Sequence, residues 1–288
     1  MLKLFLDTDM DITPEDAEKY GAKLISMPYS YEGKTIYPYV DFDEYDSEGF
    51  YNLLRNGALP TTSAITEREY MEYFEPEFAE GNDILYVHFS AAMTNTFDFM
   101  HLAVRKLLEK YPDCRFYEID TKGITTISRI ISLAAADLYK EGKSAEEIVA
   151  WGEKEVDHYA MYFMADDLKF FRRSGRVSGL SATMGNLLGI RPIITMSQEG
   201  KMVSVGKEKG RRKALDHLAQ VVVDLGENVK KHRIIIGHTG NLELAEELAE
   251  AIRAKIGDCE IAFQVVNPTA GSHCGPDGVG VTFHAIHR

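Results

Sequence analysis

Four short stretches of this sequence hold residue types that could do chemistry. "GSHCGPDGVG" (271–280) sets His273 beside Cys274 among four glycines. A catalytic thiol needs a neighbouring base and a depressed pKa, but in an extended segment adjacent side chains point apart. A metal site needs further ligands, and no HxH or CxxC lies nearby. A phosphate loop ends in Gly-Lys-Ser/Thr before a helix, whereas these glycines precede a strand-like run. The stretch therefore reads as a tight turn, with Gly275, Gly278 and Gly280 at positions of positive φ and His273 available as a polar group aimed into a cleft. "FRRSGRVSG" (171–179) concentrates Arg172, Arg173 and Arg176 in an otherwise acidic chain. It is either a solvated loop or a contact for an anion or partner, since guanidinium forks suit carboxylates and phosphates. "VGKEKGRRKA" adds a second basic loop with Lys207, Lys209, Arg211, Arg212 and Lys213. "TTS" (61–63) and "SAAMTNT" (90–96) set hydroxyls in front of helices, where they can cap the helix or bind an anion together with its first amides.

These residues must be positioned by a regular frame, and the first half of the chain supplies one. "KLFLDTD" (3–9) reads as a buried strand, and Thr13-Pro14 opens a helix. Two extended segments flank a turn at Glu32-Gly33, and "DEYDSEGFYNLLRN" reads as a helix ending before Gly57. Capping-box spacings at Thr66…Glu69 and Ser144…Glu147 open two more helices. "DILYVHFS" and "RFYEID" are strands, each followed by a helix. Strand and helix in alternation predict an α/β fold: a parallel sheet with helices on both faces and ligands at the carboxyl ends of its strands. The second half differs. "HYAMYFMADDL", "GIRPIITM", "KMVSVGKEK", "RIIIGHTG", "EIAFQVV" and "VGVTFHAI" are strand-like, with helices at 211–225 and 241–256. This predicts a smaller α+β domain with a mixed sheet. The division is placed at 163, giving domains 1–163 and 164–288.

Composition narrows the classes of function. The 288 residues suffice for two cores, and 45% hydrophobic with 27% charged residues is ordinary for a soluble protein. A net charge of -13 argues against nucleic-acid binding, which needs a basic face to displace counterions. No apolar run reaches the roughly 20 residues of a membrane span, and the start "MLKLFLDTDMD" lacks the form of a secretory signal. Cys114, Cys259 and Cys274 lie far apart and form neither a disulfide framework nor a zinc pattern. The expectation is a reduced cytoplasmic protein without membrane insertion and without a bound metal.

Taken in order, "LDTD", "PTTS", "VHFSAAMTNTF", "RRSGRVS", "LLGIRPIITMSQEGKMVSVGKEKGRRKA", "HTGN" and "GSHCGPDGVGV" resemble the DegV family of bacterial fatty-acid-binding proteins nearly end to end. The resemblance implies a two-domain DegV-like fold with a long-chain fatty acid buried in a tunnel. It also implies the role of acyl-binding subunit of a bacterial fatty acid kinase, whose separate ATP-binding subunit phosphorylates the bound carboxylate. By position, the head-group residues fall on Thr62, Ser63, Thr94, Asn95 and His273. Arg172, Arg173 and Arg176 fall where the family meets the kinase. The sequence departs from the family motif of the form V-x-I-S-S-x-L-S-G-T-Y: Thr94 stands for a serine, Asn95 for a glycine, Ala91 for a serine and Met93 for a leucine. On this reading the chain has no catalytic activity alone and no cofactor beyond its ligand. The alternatives are a carrier or sensor of another amphiphile, or an enzyme acting through His273 and Cys274. A fifteen-methylene tail would contribute roughly 12 kcal/mol before the costs of binding, so the tail supplies affinity and the polar end orientation.

Overall fold

The computed structural model describes residues 1–166, 168–178 and 189–288. Gly179 of the arginine segment, and Leu187 and Leu188 of the apolar run that follows, lie outside the described residues. In chain order the elements are β1 (Leu2–Asp7), α1 (Pro14–Tyr20), β2 (Lys23–Ile25), β3 (Tyr29–Tyr31), β4 (Lys34–Ile36), α2 (Ser47–Arg55), β5 (Thr61–Thr62), α3 (Glu67–Ala79), β6 (Asp83–His88), α4 (Thr96–Lys110), β7 (Phe116–Asp120), α5 (Thr126–Lys140) and α6 (Ala145–Glu155). There follow β8 (Tyr159–Met164), α7 (Lys169–Ser174), β9 (Val177–Ser178), β10 (Ile190–Met196), β11 (Met202–Lys209), α8 (Arg211–Leu225), β12 (Ile234–His238), α9 (Leu242–Ile256), β13 (Ile261–Val265), α10 (Pro268–Cys274) and β14 (Val279–His284).

The first sheet is wholly parallel, in the order β2-β1-β6-β7. The chain leaves β1 toward β2 and later returns to β6 on its other side. The carboxyl ends of β1 and β6 therefore flank the point where strand order reverses, which is where open sheets of this kind bind ligands. The second sheet is mixed, in the order β13-β12-β14-β8-β10-β11-β9. Helices α8 and α9 pack together over it, while α5 touches strands of both sheets. That position explains the composition of α5. Thr126, Ile127, Ser128, Ile130, Ile131, Ser132, Leu133, Ala135 and Ala136 are all buried, as a helix with sheets on two sides requires. A hydrogen bond from Ser90 Oγ to the Gly200 carbonyl (2.8 Å) ties the β6–α4 loop to the β10–β11 hairpin.

The sheets bear out the predicted fold class, with four corrections of detail. Strand β8 pairs with β10 and β14, so a division at residue 163 falls inside a strand of the second sheet. A third, antiparallel sheet, β4-β3-β5, stands beside the other two. Its β3–β4 turn at Glu32-Gly33 has φ of 49° and 77°, the conformation that a two-residue hairpin favours. Helix α2 begins at Ser47, because Asp46 accepts the Gly49 amide and caps it there. The segment 267–274, expected to be loop, is helix α10, started by Asn267 at the N-cap and Pro268 in the first turn. The capping boxes at Thr13, Thr66 and Ser144 form with their side-chain bonds in place. Among the described residues no helix is long and apolar enough to cross a membrane.

Candidate ligand-binding site

Each hydroxyl loop is held by its own device. Thr62 lies in β5, paired opposite Tyr29 of β3. It does not precede a helix directly, since α3 starts only after Thr66. The second loop, after β6, contains a 3-10 turn at Ala91–Met93 and runs into α4. Thr96 joins the two loops. Its hydroxyl accepts from the Ile65 amide (3.0 Å) and donates to the Ile65 carbonyl (3.3 Å). Thr94 Oγ1 accepts from the Thr96 amide (3.1 Å). Asn95 is the N-cap of α4, yet its side chain makes no capping bond and is exposed.

Helix α10 is fixed at both ends. Near its start, Asn267 donates its backbone and side-chain N–H groups to Asp11 Oδ1 (2.8 Å each) and accepts the Ala270 amide. Tyr51 donates to the Val266 carbonyl (2.9 Å), and Thr269 to that of Met27 (2.8 Å). Glycines set how closely neighbours approach. A Cβ on Gly271 would lie 2.7 Å from the Tyr51 hydroxyl oxygen, and one on Gly275 would lie 2.3 Å from the Phe170 ring. Gly275 also has a φ of 74°, which ends the helix in the left-handed region. Gly278 and Gly280 do not take positive φ, contrary to the turn reading. A Cβ on Gly278 would crowd the Met164 carbonyl, and one on Gly280 would strike Phe163.

The ends of these elements meet around a polar cavity of about 470 Å³, whose wall includes Asp9, Thr62, Ser63, Thr94, Asn95, Arg176 and His273. The fold thus gathers all five predicted head-group residues. Thr62 Oγ1 and His273 Nε2 are hydrogen-bonded at 2.8 Å. Burial pushes the His273 pKa down to about 4, and Arg176 and Arg173 push the same way. The imidazole is therefore neutral at pH 7, with one N–H and one lone pair for the cavity and Thr62 to share. Cys274 occupies the next helical position, where desolvation pushes its thiol up to about 12, followed by Asp11 and Asp9. It stays a thiol at neutral pH and is a poor nucleophile.

The arginines divide among different places. Arg173 Nη2 donates to the carbonyls of Leu59 (2.7 Å) and Pro60 (2.8 Å), bracing the entry to β5. Arg176 donates to the Ser174 carbonyl and lines the polar cavity. Arg172 is exposed on α7. The segment, expected as a loop, comprises the end of α7, a turn and strand β9 over its described residues, and only part of it faces away from the site. Sequence reasoning missed Asp9, Met27, Phe89, Ile124 and Thr269 of the cavity wall, among others, and gave Arg176 to a partner instead of the cavity. The signal for Asp9 was present in "LDTDMD", three acids at the carboxyl end of a buried strand.

A second, narrow apolar cavity lies between α5, α10 and the second sheet, and Ile124 lines both spaces. Met161, Phe163, Met164, Phe171, Met202 and Val279 form much of its wall. Among the described residues no cluster of three or more His, Cys, Asp or Glu is arranged to hold a metal ion.

A family model described as "Uncharacterised protein, DegV family" matches residues 1–285. A DegV domain-containing protein of Clostridium perfringens (strain 13 / Type A) is 36% identical over 245 residues, covering 84% of each chain. Two solved structures share the fold. One is a stearic acid-binding protein from Eubacterium ventriosum, with a TM-score of 0.87, 18% identity and coverage of 99% of this chain and 98% of that one. The other is DegV, a fatty acid binding protein from Bacillus subtilis, with a TM-score of 0.82, 23% identity and 99% coverage of both. From its first strand to its last, the chain is similar to these proteins in sequence pattern and in fold, and it belongs to the DegV family.

Proposed function

We propose that the chain binds one long-chain fatty acid and presents its carboxylate to a separate ATP-binding kinase subunit, which forms the acyl phosphate. The observation that carries this reading is that a polar cavity and an apolar one lie side by side, with Ile124 in the wall of both. An amphiphile with one polar end and one long tail has that shape. Thr62, Thr94 and the neutral His273 can supply hydrogen bonds to a carboxylate, and Arg176 contributes positive charge near it. The proteins of similar fold from Eubacterium ventriosum and Bacillus subtilis are described as binding stearic acid and fatty acid, respectively, which supports the same ligand class here.

The apolar cavity, at about 50 Å³, is narrow. Its walls must part to admit a tail. Three methionines among them, unbranched and with adaptable rotamers, suit that movement. A carrier of a different amphiphile is the second reading. It is favoured by the exposed Asn95 side chain, which makes no capping bond, and by a polar cavity roomier than a carboxylate needs. An enzyme acting through Cys274 gains no support, because its thiol is held protonated.

The kinase role is tested by reconstitution. The lipid-loaded chain is mixed with a DegV-partner kinase subunit and ATP, and acyl phosphate is trapped with hydroxylamine as the hydroxamate. Product that requires both proteins is expected. A loaded chain that yields none with several such kinases leaves the carrier role and removes the kinase role.

A further inference from the structure

Three acids follow one another at the carboxyl end of β1: Asp7, Asp9 and Asp11, all buried. Two have assigned work. Asp7 Oδ2 accepts from the Tyr86 hydroxyl (3.0 Å) and the Phe89 amide (3.3 Å), and Asp11 Oδ1 accepts twice from Asn267. Asp9 differs from both. Its residue is 6% exposed, and its Oδ1, like Asp7 Oδ1 and Asp11 Oδ2, has no hydrogen-bond partner among the described residues, but of the three acids it alone lines the polar cavity. Its backbone is anchored, because the Thr125 amide donates to the Asp9 carbonyl (2.8 Å). A buried polar atom left unpaired is costly unless something in the functional state pairs it.

We propose that Asp9 is a further head-group ligand, whose unpartnered carboxyl in the cavity wall hydrogen-bonds to the carboxylate of the bound lipid. This rests on the fatty-acid reading above and specifies its polar end. Two carboxyl groups can meet only if one of them carries a proton, as in paired carboxyl sites that share a single proton. The surroundings favour a protonated Asp9. Desolvation, then the neighbouring Asp7 and Asp11, raise its pKa well above the usual carboxylate range. The other titratable or charged groups around it do not reverse this. Tyr70 of α3 and Tyr86 of β6 are neutral phenols with raised pKa values. On α10, His273 is neutral and Cys274 is a thiol. Arg129 of α5 is already engaged by the Asp11 carbonyl and the Asp16 carboxylate. Arg176 lies on the same cavity wall, where its charge suits a ligand carboxylate. A protonated Asp9 donates O–H to that carboxylate. An ionised Asp9 repels it, but can accept from an alcohol.

The test uses the full chain, with palmitic acid and hexadecanol as probes, titrated from about pH 6 to about pH 9. For the wild type, palmitate affinity is expected to fall as pH rises through the Asp9 titration, by up to about tenfold per pH unit, while hexadecanol affinity does not fall. Asp9→Asn keeps an N–H donor of similar shape and has no proton to lose, so its palmitate profile flattens. Asp9→Ala removes the donor and binds palmitate about tenfold more weakly than Asp9→Asn. Equal affinities for the Asn and Ala variants, or a wild-type profile that matches that of Asp9→Asn, overturns the proposal. If Asp9→Ala does not fold, the wild-type and Asp9→Asn profiles decide alone. A wild type that binds neither probe defeats the fatty-acid reading itself, an outcome distinct from binding that ignores Asp9.

Discussion

Replacing Thr62 by valine removes one hydroxyl while preserving side-chain shape, so it separates head-group binding from the shape of the tunnel. In the free protein the hydroxyl is bonded to His273 Nε2 at 2.8 Å. With ligand present, it stands in the same wall as Thr94, Asn95 and Arg176 and can donate to a carboxylate while still near the imidazole. A hydrogen bond to a charged group contributes about 1.5–3 kcal/mol, and a neutral one about 0.5–1.5. Thr62→Val should therefore weaken fatty-acid binding by about 1–3 kcal/mol, or about 5- to 150-fold. The same change leaves His273 Nε2 without its protein partner. A stability loss of about 1 kcal/mol is expected as well, and binding must be normalised to folded protein. Calorimetric titration with palmitic acid and hexadecanol gives the comparison, and Thr94→Val should behave alike. A large loss for the acid with little change for the alcohol is expected. Equal losses for both ligands would refute the assignment and make these side chains part of the tunnel wall.

Four further outcomes rest on particular contacts. Burial raises the Asp7 pKa to about 7, against hydrogen bonds from Tyr86 and the backbone that pull it down. The folded state then binds more protons than the unfolded state between about pH 4 and about pH 7. Asp7 thus lowers stability as pH rises through that window, and Asp7→Asn should flatten this part of the melting-temperature profile. His273 acts with the opposite sign: its pKa is depressed to about 4, so its contribution is lost as pH falls from about 6.5 toward 4. Gly275→Ala places a Cβ 2.3 Å from Phe170 at a φ of 74° and should cost about 2–4 kcal/mol in denaturant unfolding; a loss under about 1 kcal/mol would mean that α7 gives way freely. Exposed Arg172 is a cleaner probe of kinase docking than Arg173, which braces Leu59 and Pro60. Arg172→Glu should slow kinase association and steepen no loss of lipid, whereas lipid loss in parallel would place α7 at the ligand.

Local rules made most of the frame legible. The capping boxes at Thr66 and Ser144, Pro14 after Thr13, and the alternation of apolar strands with amphipathic helices located nearly every element. The helix at 268–274 was hidden because glycine, serine and cysteine are weak helix formers and seven residues show little periodicity. It forms through tertiary support: the Asp11–Asn267 bonds at one end, and Tyr51 and Phe170 packed where Gly271 and Gly275 lack side chains. The same packing decides the site. That Thr62 meets His273, 211 residues away in sequence, follows from the family resemblance and not from any local pattern. Arg176 read as a partner contact because charge alone does not say which way a side chain turns. Asp9 read as the end of a strand because its missing hydrogen-bond partner is visible only once its surroundings are in place.

That a fatty acid fills the two neighbouring cavities is tested most directly by mass spectrometry of the purified chain, native and then after denaturing extraction. One long-chain fatty acid per chain is expected, or its uptake at that stoichiometry when the acid is supplied. Repeated preparations that carry no acyl chain and take up none would contradict it.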